Sequence, residues 1–210
     1  MHREPLSRSL EALLGKDDDQ AVVTLNQLIE RTGGQGLYLF LILICLPFIT
    51  PIPLPGFSLI VGLVVFLVGM RLFLGLPPKL PLFIGRKKLS MERQRKIITA
   101  SVKWVKRIER MAKPRGRGWI SNEVSVRVNA LLIAFLGFVL TLPLPLPFTN
   151  SLPGLAVIFL CVSLMEEDAL LVWVGYAFAA GSVIYLFALS KTVIELFERY
   201  SDSIRQFFGF

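Results

Sequence analysis

Two proline-rich runs interrupt otherwise apolar sequence: PFITPIPLPG at residues 47–56 and PLPLPFTNSLPG at residues 143–154. Proline lacks a backbone N–H, clashes with the preceding helical turn, and pushes the residue before it out of the helical region. Prolines at alternating positions therefore forbid a helix through either run. Each run must extend or turn. In hydrocarbon such backbone leaves polar groups unsatisfied, at roughly several kcal/mol each. A run of this kind is either a loop in water between two spans or the tip of a re-entrant hairpin shielded at depth by protein. The flanking apolar blocks 36–46 and 154–165 are shorter than the roughly twenty residues a span requires. That favours re-entrant hairpins.

Composition supports a membrane setting. The chain of 210 residues is 54% hydrophobic and only 18% charged, with a mean hydropathy of +0.64, well away from the balance of soluble domains. The first twenty residues lack an apolar core, so the block from Leu37 is expected to be its own insertion signal. Cys45 and Cys161 sit inside apolar blocks without metal-ligand spacing, as small hydrophobes do. The single histidine is His2. Histidine-based acid–base or metal chemistry has nothing to build on, so no enzyme activity, cofactor or metal is expected.

The net charge of +8 is concentrated between Arg86 and Arg117, where only Glu92 and Glu109 oppose a long series of Lys and Arg. A short basic loop between membrane blocks follows the positive-inside rule, which places 86–118 in the cytoplasm and makes nucleic acid a poor partner. Within it, residues 93–112 carry Ile98, Val102, Val105 and Ile108 on one helical face. Such a helix is expected to lie in the membrane interface against anionic headgroups, or else to pack on the protein itself. Nearer the N-terminus, Thr24 and Gln27 form a capping box before a short helix over 24–32, with Val23 and Leu28 as a staple and Gly33–Gly34 as the stop.

The blocks repeat. With Pro55–Gly56 set against Pro153–Gly154, Pro47 falls opposite Pro145, Leu54 opposite Leu152 and Ile60 opposite Ile158. This predicts two related halves, taken as an inverted repeat: 36–85 and 128–190, with a tail over 1–35, a basic linker over 86–127 and an amphipathic C-terminal tail over 191–210. Residues 169–190 form the best full span. The fold class expected is an all-α integral membrane protein with two proline-broken re-entrant hairpins, one full transmembrane helix and interfacial amphipathic helices.

Paired broken helices point to a central site in transporters. Helix N-termini at Gly56 and Gly154 are expected to aim free N–H groups at a phosphate or carboxylate. The candidate binding residues are Thr50, Pro51, Pro53, Gly56, Pro145, Thr149, Asn150 and Gly154, with Ser151 read as a local cap. Arg71 and the cluster Glu166–Glu167–Asp168 are the charges inside the apolar blocks. Either Arg71 snorkels to the interface and the acidic cluster marks a turn, or Arg71 and Asp168 pair across the halves and join the site.

In order, SRSLEALL, VTLNQLIERTGGQGLYLFLILICLPFITPIPLPGFSLIVGLVVFLVGMRLFLG, VKWVKRIERMAKPR and LPLPLPFTNSLPGLAVIFLCVSLMEEDALLVWVG make the chain resemble the ExoD family of bacterial membrane proteins, over roughly Ser7 to Leu186. Arg71 stands where the family commonly has glutamine, the usual tryptophan is replaced by Leu80 or missing, and in SLMEEDAL Glu166 and Asp168 match a GLxERDG-like stretch while Glu167 and Ala169 do not. The resemblance implies a multi-pass protein of the bacterial inner membrane with a role in exopolysaccharide synthesis. The function expected is transport or handling of a phosphate-bearing lipid, such as a polyprenyl phosphate, or of a small anion. The alternative is a non-transporting scaffold for a polysaccharide synthase or export complex, as a homodimer or with assembly proteins as partners.

Overall fold

The computed structural model describes residues 23–32, 34–49, 56–86, 88–89, 117–120, 122–142 and 148–208, with single residues and pairs between 98 and 115. These are helical apart from one antiparallel pair of two-residue strands, β1 (Val23–Thr24) and β2 (Lys88–Leu89), which align Val23 with Leu89 and Thr24 with Lys88.

Helix α1 (Leu25–Arg31) starts on the expected capping box: the Thr24 hydroxyl accepts from Gln27 N and the Gln27 side chain accepts from Thr24 N. Asn26 ties this helix to a distant loop, its Oδ1 accepting from Leu80 N at 2.8 Å. Gly34, at φ +87, turns the chain into α2 (Gln35–Cys45), which tightens into a 3-10 turn at Leu46–Ile49. Beyond the first proline run, α3 (Phe57–Phe73) begins after Gly56, whose φ of +82 is open only to a residue without Cβ strain. A short turn of helix, α4 (Leu82–Gly85), precedes β2, and α5 (Arg117–Ile120) follows the basic linker.

The second half carries α6 (Glu123–Thr141), α7 (Ser151–Glu166) and α8 (Ala169–Phe208). α6 starts five residues earlier than the apolar block implies, because Asn122 caps it by accepting from Val124 N. Its 19 residues reach about 28 Å. α6 is thus of full span length, whereas α7, after the second proline run, has 16 residues and stays shorter than a span, as the block 154–165 implied. α8 is one helix of 40 residues, so the separate C-terminal tail expected from sequence is its continuation.

Two antiparallel seams build the bundle. α3 packs against α6 at backbone contact: a Cβ on Gly62 would lie 2.7 Å from Gly137 O, one on Gly69 2.5 Å from Ala134 N, and one on Gly137 2.3 Å from Phe66 N. Small residues allow this approach, which membrane helices use in place of a hydrophobic driving force. α2 packs antiparallel on α7, Leu39 meeting Met165 at one end and Phe48 meeting Gly154 at the other. Each helix before a proline run thus lies against the helix after the other run. α8 closes the bundle by folding back on α7, with Gly175 against Leu160 and Phe159 stacked on Phe178 at 5.4 Å.

These contacts gather the end of α2, the start of α3, the end of α6 and the start of α7 at one end of the bundle, the proline end. The linker, α1 and the turn into α8 occupy the other, the linker end. Both hairpins therefore run in the same sense, and the inverted relation expected from sequence is not what the chain adopts. Two helices, α6 and the first part of α8 (Ala169–Leu189), are long and apolar enough to cross a membrane. Their outward faces are apolar: Val124, Val128, Leu131, Phe135 and Phe138 form one stripe of α6, and Leu170, Trp173, Ile184 and Phe187 are exposed on α8.

The basic linker departs from expectation. Residues 98–99, 102–103, 105–106 and 109–110 are helical. Ile98 and Val105 are buried against Leu39 and Met165, with Tyr38, Leu43 and Val102 around them. The face expected to enter the acyl boundary is occupied by the protein itself, while Lys103 and Arg110 are exposed.

Candidate functional site

Thr50, Pro51, Pro53 and Pro145 lie outside the described residues. The other candidates separate into two groups at opposite ends of the bundle.

Gly56, Thr149, Asn150 and Gly154 are at the proline end. Phe48 is the point of convergence: its ring lies 5.7 Å from that of Phe57, the first residue of α3, and a Cβ on Gly154 would lie 2.9 Å from Phe48 Cβ. Both helices that follow a proline run therefore begin against one buried side chain. Their N-termini are not equivalent. Gly56 has no side chain to cap α3, so Phe57, Ser58 and Leu59 have N–H groups without an intrahelical acceptor.

The α7 terminus is largely closed. That helix begins at Ser151, three residues before the expected Gly154, after a turn in which Phe148 adopts φ +66. Pro153 fits inside the first turn because the missing N–H there has no helical acceptor to lose. Leu152 N donates to Phe148 O at 3.2 Å and Gly154 N to Asn150 O at 3.0 Å. The expected free N–H at Gly154 is thus spent. Asn150 sits at the cap position, yet its side chain makes no capping bond. Thr149 and Ser151 are buried.

Arg71 and Asp168 are at the linker end, about 25 Å away along α3, a helix of 17 residues. They do not pair. Arg71, in the last turn of α3, donates from Nη2 to Pro77 O at 3.3 Å, favourable for a cation at a helix C-terminus. Asp168 caps α8: Oδ1 accepts from Leu170 N at 3.0 Å, and Asp168 O accepts from the Ser163 hydroxyl at 2.9 Å. Glu167, at φ +57, supplies the left-handed residue between α7 and α8. The acidic cluster is a helix-to-helix turn, with its third member buried at 3% exposure and not at the surface.

Glu166 is the perturbed carboxyl of that turn. Burial, reinforced by the nearby charge of Glu109 on the linker, pushes its pKa from an ordinary 4.5 up to about 7. The linker is strapped to the same turn by a hydrogen bond from Ala169 N to Arg115 O at 2.9 Å.

Asn129 was not among the residues singled out from sequence. Fully buried in α6, it donates from Nδ2 to Ser125 O at 2.8 Å, while its Oδ1 has no hydrogen-bond partner among the described residues. The signal was present, an amide inside the apolar block 128–142. Among the described residues no group of three or more His, Cys, Asp or Glu is placed to hold a metal ion.

Comparison with known proteins bears on this arrangement. The family model described as "Exopolysaccharide synthesis, ExoD" matches residues 6–188. The chain is 30% identical to Protein ExoD of Rhizobium meliloti (strain 1021) over 168 residues, covering 80% of this chain and 70% of that one. It is 28% identical to an uncharacterized protein of Synechocystis sp. over 189 residues, covering 87% and 88% of the two chains. No solved structure matches.

Proposed function

Because the chain belongs to the ExoD family of exopolysaccharide-synthesis proteins, we propose that it serves that synthesis as a multi-pass scaffold of the bacterial inner membrane, holding partners instead of carrying a solute through a charged central site. One observation carries this reading. Among the described residues, the polar candidates for a carrier site are divided between the two ends of the bundle, and both charges have structural work: Arg71 at Pro77, Asp168 at the start of α8. The positive-inside rule puts the linker end in the cytoplasm. α2 and α6 then run outward, α3 and α7 return, and α8 leaves again. The helix ends flanking both proline runs then face outward.

The test is exopolysaccharide yield in a strain lacking the protein and complemented with Arg71→Gln/Asp168→Asn. Asn still caps a helix and Gln still donates, so the fold survives while both charges go. A scaffold keeps yield near the wild-type level. Yield at the level of the uncomplemented strain defeats it.

A second reading, handling of a phosphate-bearing lipid or small anion, is supported by the uncapped start of α3 beside the start of α7 at Phe48. A single cysteine at Asn150, in a Cys45→Ala/Cys161→Ala background, tests it. Protection of that cysteine from a membrane-impermeant thiol reagent by polyprenyl phosphate is the result this reading requires. Labelling unchanged by the lipid removes it.

A further inference from the structure

The linker end carries a surface that neither reading uses. Trp119 of α5 and Trp173 of α8 stack with ring centroids 6.4 Å apart and planes 14° apart, and Tyr176 meets Trp173 edge-on at 5.7 Å. Stacked aromatic rings are ordinarily buried, where their area is worth most. These are not: Trp119 is 47% and Trp173 65% exposed. Packing does hold the pair in place. Ile120, next to Trp119, is buried at 1%, and the Arg115 carbonyl fastens the linker to the first residue of α8.

Three features meet at this patch. Trp173 lies one turn inside the membrane-length segment Ala169–Leu189, at its linker end. The exposed apolar stripe of α6 begins at the same end of the bundle, with Val124 and Val128, and Leu170 is exposed on α8. The exposed cations Lys103, Arg110 and Arg115 belong to the linker at this same end. Of the carboxylates at this end, Asp168 is buried on the α8 cap and Glu123 pairs with Arg127.

We propose that this patch is a lipid-docking surface at the membrane interface, with the Trp119–Trp173 stack at headgroup level and Lys103, Arg110 and Arg115 selecting anionic headgroups. Indole rings favour that level because the ring is apolar while its N–H needs a partner. Cations just beyond it gain from the negative surface potential of anionic lipid. The inference rests on the membrane reading but not on the choice between scaffold and anion handling. It also revises how the linker meets the bilayer. The apolar face of the linker is on the protein, so attachment runs through the indole stack and the cations.

The full chain in lipid nanodiscs tests this. Trp104→Phe leaves two indoles, and Trp104→Tyr serves as a second background should the first fold poorly. Their emission is measured in phosphatidylcholine brominated either near the headgroup (6,7) or deep in the acyl chain (11,12). Retention of phosphatidylglycerol over phosphatidylcholine is measured by native mass spectrometry, for the wild type and for Lys103→Gln/Arg110→Gln/Arg115→Gln. The expected results are at least twofold stronger quenching by the shallow bromines and a preference for phosphatidylglycerol that the triple variant loses. Absence of quenching, stronger quenching by the deep bromines, or an equal preference in the triple variant each overturns the proposal.

Discussion

Replacing Gly137 by Ala adds one methyl group at the tightest point of the α3–α6 seam. That Cβ would lie 2.3 Å from Phe66 N, 2.8 Å from Phe66 Cα and 2.9 Å from the Val65 carbonyl carbon, where ordinary contact begins at 3.4 Å. The neighbours are backbone atoms of a helix and cannot rotate away as a side chain would. The helices must part by about 1 Å, and overpacking of this kind costs about 1–3 kcal/mol. Alanine recovers about 0.5–1 kcal/mol of helix propensity over glycine, leaving a net loss of up to about 2.5 kcal/mol. Gly181 of α8 supplies the control, because nothing lies within 4 Å of a Cβ built there. Gly181→Ala should keep the whole propensity gain. Thermal unfolding of purified protein in detergent should show Gly137→Ala several degrees below wild type and Gly181→Ala at or above it, at roughly 2–4 °C per kcal/mol for a chain of this size. Gly137→Ala melting as high as Gly181→Ala would mean that the two backbones do not touch, and the seam would be wrong.

Further perturbations address single contacts. Asp168→Ala removes the carboxylate that caps α8 through Leu170 N and should cost about 1 kcal/mol, while Asp168→Asn costs less, read as melting temperatures. Asn26→Ala leaves the Leu80 N–H without its acceptor, beside a Leu80 side chain that is buried at 2%. A loss of about 1–3 kcal/mol in denaturant unfolding is expected. The raised pKa of Glu166, about 7 against 4.5, means that the folded chain binds more protons than the unfolded chain between those values. Stability should therefore fall as pH rises from 5 to 8, and Glu166→Gln should flatten the profile. A Glu166→Gln protein with an unchanged pH dependence would place the titration elsewhere.

Much of the fold was legible, and the errors have physical causes. The capping box at Thr24 and Gln27 was readable because its partners are three residues apart. The helical blocks around the proline runs were readable because proline forbids helix wherever it repeats. The start of α6 was missed because residues 123–127, EVSVR, look like linker by charge. They are helical because Asn122 caps them and Arg127 pairs with Glu123 one turn back. That extension gives α6 the length of a full span. The start of α7 was misplaced because Pro153–Gly154 reads as a break, yet proline is tolerated in a first turn. The candidate site was legible as residue types and not as a constellation. Asn150 and Gly56 share the proline end, while Arg71 and Asp168 carry helix-end duties far from it. Direction along antiparallel helices is set by packing between distant segments, such as Gly62 on Gly137, and local sequence does not encode it.

The central claim is that the helix ends flanking both proline runs meet at one end of the bundle and the described part of the basic linker lies at the other. Single cysteines at Asn150 and at Lys103, each in the Cys45→Ala/Cys161→Ala background, test it in intact cells and in permeabilised cells with an impermeant maleimide. The account predicts that the cysteine at 150 reacts in intact cells with its outer membrane made permeable, and that the cysteine at 103 reacts only after the inner membrane is opened. Reaction of both from the same side would contradict it.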